Sequence, residues 1–136
     1  MQLGQDPILK QLRHIIDLLN RILELLDEIN RPKSRYVFWR LFFPYGEFSG
    51  QKNSAKQASS LMLDVQIRMD DMEETLQERN HPLATTIREL NYLNLKELGI
   101  QLVELPTRAQ YMGDQIEEYG KKIKSLIKEL EQPGKT

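Results

Sequence analysis

Cysteine is absent from this chain of 136 residues. Without thiols the chain can form neither a disulfide nor a thiolate metal site, and it has no cysteine nucleophile. The absence also fits a reducing compartment, so the expected location is the cytosol.

Long apolar runs are missing as well. No stretch approaches the roughly 18 uncharged apolar residues that a membrane-spanning helix needs. The first residues, MQLGQDPILKQLR, lack a basic segment followed by an apolar run, so we expect no secretory signal peptide. A formal net charge of −1 gives no overall attraction to nucleic acid, and no nucleic-acid partner is expected.

Catalytic motifs are scarce. The chain has no glycine-rich phosphate loop and no G-x-S-x-G sequence. Glu78 and His81 have the E-x-x-H spacing of di-iron helical bundles, but such sites need two copies and further carboxylates. Because Pro82 follows directly, we interpret this sequence as a polar turn. No metal, cofactor or small-molecule substrate is therefore predicted.

An acidic cluster lies in the second half of the chain, at Asp70, Asp71, Glu73, Glu74 and Glu78. Carboxylates at helical spacing hold magnesium in some enzymes. Apolar residues at regular helical spacing lie between these acids, which turns most carboxylates away from the predicted core. We interpret the cluster as a solvated helix face, and a carboxylate-metal enzyme is the weakest functional hypothesis.

Helical periodicity dominates what is present. In the first helix, predicted over 7–30, apolar residues alternate at spacings of four and three, as in a heptad repeat. Asp6 is suited to cap this helix, and Pro7 suits its first position. The repeat consists of Ile8, Leu12, Ile15, Leu19, Ile22, Leu26 and Ile29.

Three more helices are predicted, over 54–79, 82–98 and 107–131. Ser54 and Gln57 resemble a capping box at the start of the second helix. For residues 99–105 two alternatives stay open: Gly99 ends the third helix, or the helix continues to Pro106. In the last helix we expect two glycines, at 113 and 120, to allow close approach of a neighbouring helix, and we expect the pairs Glu117–Lys121 and Glu118–Lys122 on an exposed face.

Four helices with short connections indicate a single all-α domain over 1–136, an antiparallel four-helix bundle. An aromatic-rich connecting segment, 33–50, joins the first two helices. Helix 1 is more apolar than a bundle helix requires. Either the chain covers both its flanks, or one flank meets another subunit through Leu9, Ile16, Leu18, Leu23 and Leu25.

Seven aromatic residues fall within 35–48. Leaving so many large side chains in water would cost more than a typical domain's stability, at roughly 1.5–3 kcal/mol each. The segment is predicted either to pack over the bundle or to form a protein interface. The candidate interface residues are Tyr36, Phe38, Trp39, Arg40, Phe42, Phe43 and Tyr45.

The predicted function is that of a non-enzymatic helical interaction or scaffold protein. It either self-associates or forms a small subunit of a larger assembly. The alternative is a peripheral membrane-surface protein that uses residues 31–48, because tryptophan, tyrosine and basic side chains suit the headgroup region.

Overall fold

The computed structural model describes residues 6–30 and 46–131 of the chain. No strand occurs in these two ranges, so the all-α prediction is confirmed for them. A single turn of 3-10 helix, Pro106–Arg108, precedes the last helix. The α-helices are α1 (Asp6–Asn30), α2 (Gly46–Glu78), α3 (Ala84–Leu90), α4 (Leu95–Glu104) and α5 (Ala109–Leu130).

Helix α1 lies between α2 and α5 and packs against both. All seven residues of its predicted repeat are buried, from Leu12 at 0% exposure to Ile8 at 6%. Burial of each such side chain contributes roughly 1.5–3 kcal/mol, so the apolar stripe of α1 is the main element of the core. Around it, α4 packs on α2, and α3 contacts both α2 and α5.

Helix α2 begins eight residues earlier than the predicted start at residue 54, at Gly46. The capping-box prediction for Ser54 is therefore wrong, because this residue lies inside the helix. No proline occurs between Pro44 and Ser54 to interrupt the helix. The residues 46–50 of the predicted connecting segment belong to α2, and the rest of that segment lies outside the described residues.

The end of α2 has the hydrogen bonds of a Schellman motif. The amide of His81 donates to Leu76 O at 2.9 Å, and the amide of Asn80 donates to Gln77 O at 3.1 Å. Asn80 has φ 50°, in the left-handed region that glycine and asparagine tolerate best. The gap between the predicted helices 54–79 and 82–98 thus contains a specific helix stop.

Asn80→Ala should lower the free energy of unfolding by about 1 kcal/mol, because an alanine Cβ is strained at this φ. Asn80→Gly is the matched control and should leave stability unchanged or slightly higher, since glycine adopts this conformation without strain. Thermal denaturation followed by circular dichroism measures both. Equal losses for the two variants would contradict the assigned role of the backbone.

The prediction of one continuous third helix over 82–98 is wrong in the middle of that range. Residues 91–94 leave the helical conformation and separate α3 from α4. Asn94 caps α4, because its side chain accepts a hydrogen bond from Glu97 N at 3.1 Å. Helix α4 then continues to Glu104, which agrees with the second alternative for residues 99–105.

Gly99 lies in the interior of α4 and is buried against α2, so it does not end a helix. A Cβ added there would stand 2.7 Å from Ser59 Oγ and 3.2 Å from Ser59 Cα. The close approach predicted for α5 is absent at Gly113, where an added Cβ would meet none of the described atoms within 4 Å. At Gly120 the nearest atom, Leu19 Cδ1, would be 3.8 Å away, an ordinary contact.

Candidate interaction surface

Four large apolar side chains are exposed on two helices that pack together. On α2, Leu63 is 40% and Ile67 50% exposed. On α4, Ile100 is 44% and Val103 41% exposed. We call these four residues the outer apolar face.

The contact between the two helices places these residues on one side of the molecule. Ser59 of α2 lies against Gly99 of α4. At about 100° per residue, Leu63 lies about 40° around α2 from Ser59, away from the buried residues of that helix. Val103 likewise lies about 40° around α4 from Gly99, away from the core. Leu63 and Val103 therefore border the α2–α4 contact from the solvent side, and Ile67 and Ile100 lie further around their helices, also away from the core.

A polar network fixes the break between α3 and α4 onto α2. Asn91 Nδ2 donates to Asp70 Oδ1 at 2.8 Å and to Glu73 Oε1 at 3.0 Å. Gln66 Nε2 donates to Asn91 Oδ1 at 3.1 Å, and Gln66 Oε1 accepts from Leu95 N at 2.8 Å. These bonds satisfy the free backbone amide at the start of α4 and hold that helix in its position beside α2.

Two of the acids in the predicted solvated cluster thus have a structural partner, since Asp70 and Glu73 both accept from Asn91. Asp71, Glu74 and Glu78 are exposed, as predicted for a solvated face. Within the described residues, no group of three or more potential ligands is arranged to hold a metal ion.

Tyr119 is the largest fully buried side chain of α5, and its hydroxyl has no hydrogen-bond partner among the described residues. Its ring meets that of Tyr92 edge to face, with centroids 5.5 Å apart and planes at 74°. Burial, with smaller contributions from Tyr92 and Asp70, raises the pKa of Tyr119 well above its ordinary value. The phenol therefore stays neutral across the physiological range.

The lysines of α5 make two kinds of contact. Lys121 Nζ lies 3.6 Å from Glu117 Oε1, so this predicted pair is confirmed on an exposed face. Lys122 Nζ lies 4.6 Å from the centroid of the half-exposed Tyr92 ring, a cation–π contact in place of the predicted pair with Glu118. The sequence could not indicate this, because Tyr92 lies thirty residues away.

Glu78 and His81 do not share a helix face, because α2 ends between them. His81 Nδ1 accepts a hydrogen bond from Leu83 N at 3.0 Å, within the turn that leads to α3. The interpretation as a polar turn therefore agrees with the structure. Beside it, Ile8 of α1 and Leu76 of α2 border a cleft of about 260 Å³, below the usual size of a small-molecule pocket.

The flanks of α1 are largely covered by the chain itself. Leu25 is 1% and Ile16 9% exposed, whereas Leu9, Leu18 and Leu23 are half-buried. The apolar excess that suggested a subunit interface on α1 is thus mostly used inside one chain. This arrangement corresponds to the alternative in which the chain covers both flanks.

The predicted aromatic interface residues lie outside the described residues. They are Tyr36, Phe38, Trp39, Arg40, Phe42, Phe43 and Tyr45. The aromatic interface therefore stays a prediction from the sequence.

The outer apolar face was missed in the sequence. Its signal is an apolar pair four residues apart, Leu63 and Ile67, displaced from the buried heptad positions of α2. Among the described helices, none is long and apolar enough to cross a membrane. Comparison with protein-family models, curated proteins and solved structures gave no match.

Proposed function

We propose that this chain is a non-enzymatic helical interaction protein that either self-associates or serves as a small subunit of an assembly. The observation that carries the proposal is the outer apolar face, where Leu63, Ile67, Ile100 and Val103 are each at least 40% exposed. Large apolar side chains grouped on one side of a molecule are typical of protein–protein contact sites. Protein binding would remove these side chains from water.

We further propose that α1, α2, α4 and α5 form an antiparallel four-helix bundle. Ile8 near the start of α1 borders the same cleft as Leu76 near the end of α2. Arg13 of α1 pairs with Glu131, just after α5. Such end-to-start neighbours support antiparallel packing of α1 against both helices. The bundle would hold α2 and α4 rigidly enough to present one surface.

Binding, rather than catalysis, also agrees with how the polar side chains are engaged. Gln66 and Asn91 bond to each other and to neighbouring helices. His81 accepts a hydrogen bond from a backbone amide of its own turn. These groups stabilise helix ends, and the proposal assigns them no role toward a substrate.

The test is the size of the assembly that contains this chain in extract from its own cells. A tagged wild-type chain should elute from a sizing column at an apparent mass well above the 16.0 kDa of one chain. An Ile67→Asp/Val103→Asp variant should elute later, toward the monomer position, whereas unchanged elution would show that the assembly is independent of this face. Tyr111→Asp is the matched control, since Tyr111 is 77% exposed on α5 and should not contribute. A wild-type chain that elutes as a monomer would refute the proposal.

The peripheral-membrane alternative uses residues 31–48 and predicts a different result. Co-sedimentation with phosphatidylserine vesicles should leave the protein in the supernatant if it acts by protein binding. Pelleting that decreases as salt rises would instead favour the alternative, because salt screens basic residues from anionic lipid.

A further inference from the structure

One stripe along the exposed side of α2 combines apolar and charged residues. Leu63 and Ile67 lie at its centre, with Lys56 toward the start of the helix and Glu74 toward the end. At about 100° per residue these four positions fall within about 40° of one another around the helix. All four are exposed.

The charges of this stripe are arranged symmetrically about its apolar centre. Lys56 lies seven residues before Leu63, and Glu74 lies seven residues after Ile67. Within the described part of the chain, neither charged residue forms an ion pair. The stripe is therefore basic at one end, apolar in the middle and acidic at the other.

Such a stripe is complementary to itself when it is turned end to end. Two α2 helices placed antiparallel, with Leu63 opposite the partner's Ile67, bring Lys56 opposite the partner's Glu74. A two-fold axis repeats both contacts, because the same patch serves both subunits. Each dimer then contains two apolar contacts and two opposite-charge pairs.

From this arrangement we propose that the occupant of the α2 stripe is a second copy of this chain, bound antiparallel across a two-fold axis. The inference rests on the proposed interaction function and assigns its partner. Apolar contact at the centre supplies most of the affinity, and the flanking charges fix the register. A parallel arrangement would place the two Lys56 side chains together and the two Glu74 side chains together, which disfavours it.

Sedimentation equilibrium of the purified full chain tests the dimer. The wild type at micromolar concentration should sediment at twice the 16.0 kDa chain mass. Ile67→Asp should shift it to the monomer, because a carboxylate would replace the apolar contact near the axis. Tyr111→Asp, the same kind of change at a more exposed site on α5, should remain dimeric. A monomeric wild type, or a dimer insensitive to Ile67→Asp, would overturn the proposal.

Charge exchange tests the register. Lys56→Glu and Glu74→Lys should each weaken the dimer by about tenfold, because each change turns two attractive pairs into two repulsive ones. An equimolar mixture of the two variants should form a heterodimer of near wild-type affinity, since both of its pairs are attractive again. Failure of the mixture to recover affinity would refute this register.

The antiparallel dimer and the proposed interaction function can be refuted separately. If the purified chain is a monomer while the extract assembly still depends on Ile67, the interaction function stands and its partner is a different protein. If the wild-type chain is a monomer in both experiments, both are refuted.

Discussion

Gly99→Val is expected to lower the free energy of unfolding by about 3 kcal/mol, the upper part of the range for overpacking a well-filled contact. A Cβ at this position would lie 2.7 Å from Ser59 Oγ, 3.2 Å from its Cα and 3.3 Å from its carbonyl oxygen. The serine hydroxyl can rotate away, but the backbone atoms of α2 cannot. The two helices must therefore separate, which also weakens the packing of Leu95 and Leu102, both 0% exposed.

Gly113→Ala is the matched control and should raise the free energy of unfolding instead of lowering it. An added Cβ at Gly113 meets none of the described atoms within 4 Å, so only the gain in helix propensity remains, about 1 kcal/mol. Urea denaturation measures both variants. Ser59→Gly should recover little of the loss caused by Gly99→Val, because the Cα and carbonyl oxygen of residue 59 stay in place. Equal stability of Gly99→Val and the wild type would show that the α2–α4 contact is looser than described.

Tyr119→Phe is expected to stabilise the protein by about 1 kcal/mol near neutral pH, because it removes a buried hydroxyl that lacks a partner among the described residues. The difference should widen in alkali. The pKa of Tyr119 is raised in the folded state by burial, and then by Tyr92 and Asp70. In the unfolded state the phenol ionises near pH 10.

The sign of the alkaline effect follows from that difference in pKa. Below about pH 10 the phenol is neutral in both states and the pH has no effect through this group. Above it, ionisation stabilises the unfolded chain, so the wild type should lose about 1.4 kcal/mol per pH unit relative to Tyr119→Phe. Urea denaturation at pH 7 and pH 11 compares the two proteins. Tyr111→Phe is the control, since Tyr111 is 77% exposed. A constant difference between wild type and Tyr119→Phe at both pH values would contradict the assigned burial.

The sequence predicted α1 and the main part of α5 correctly, because their apolar repeats are regular enough to indicate one buried face. In α1 even the end near Asn30 agrees, since proline follows two residues later. The start of α2 was misplaced because the polar residues around Ser54 resemble a cap whether or not a helix precedes them. Local sequence alone does not distinguish these cases.

The break between α3 and α4 was missed because its cause is mostly tertiary. Neither glycine nor proline occurs in residues 91–94. Helix α3 ends where Asn91 bonds to α2, and α4 begins where Gln66 accepts the Leu95 amide. One local signal existed, since Asn94 and Glu97 have the spacing of a helix cap. The outer apolar face depends equally on tertiary packing, because it is defined by which side of α2 is covered by α4.

The central position of α1 affects the order in which the chain can fold during synthesis. This helix emerges from the ribosome first among the described helices, yet one of its two neighbours, α5, emerges last. Leu19 lies beside Gly120 of α5, 101 residues further along the chain. Helices α1 and α2 can therefore pack together early. The side of α1 that packs against α5 stays uncovered until α5 has been synthesised. Closing so long a separation is slow, and an apolar helix left half-covered in that interval is prone to associate with other chains.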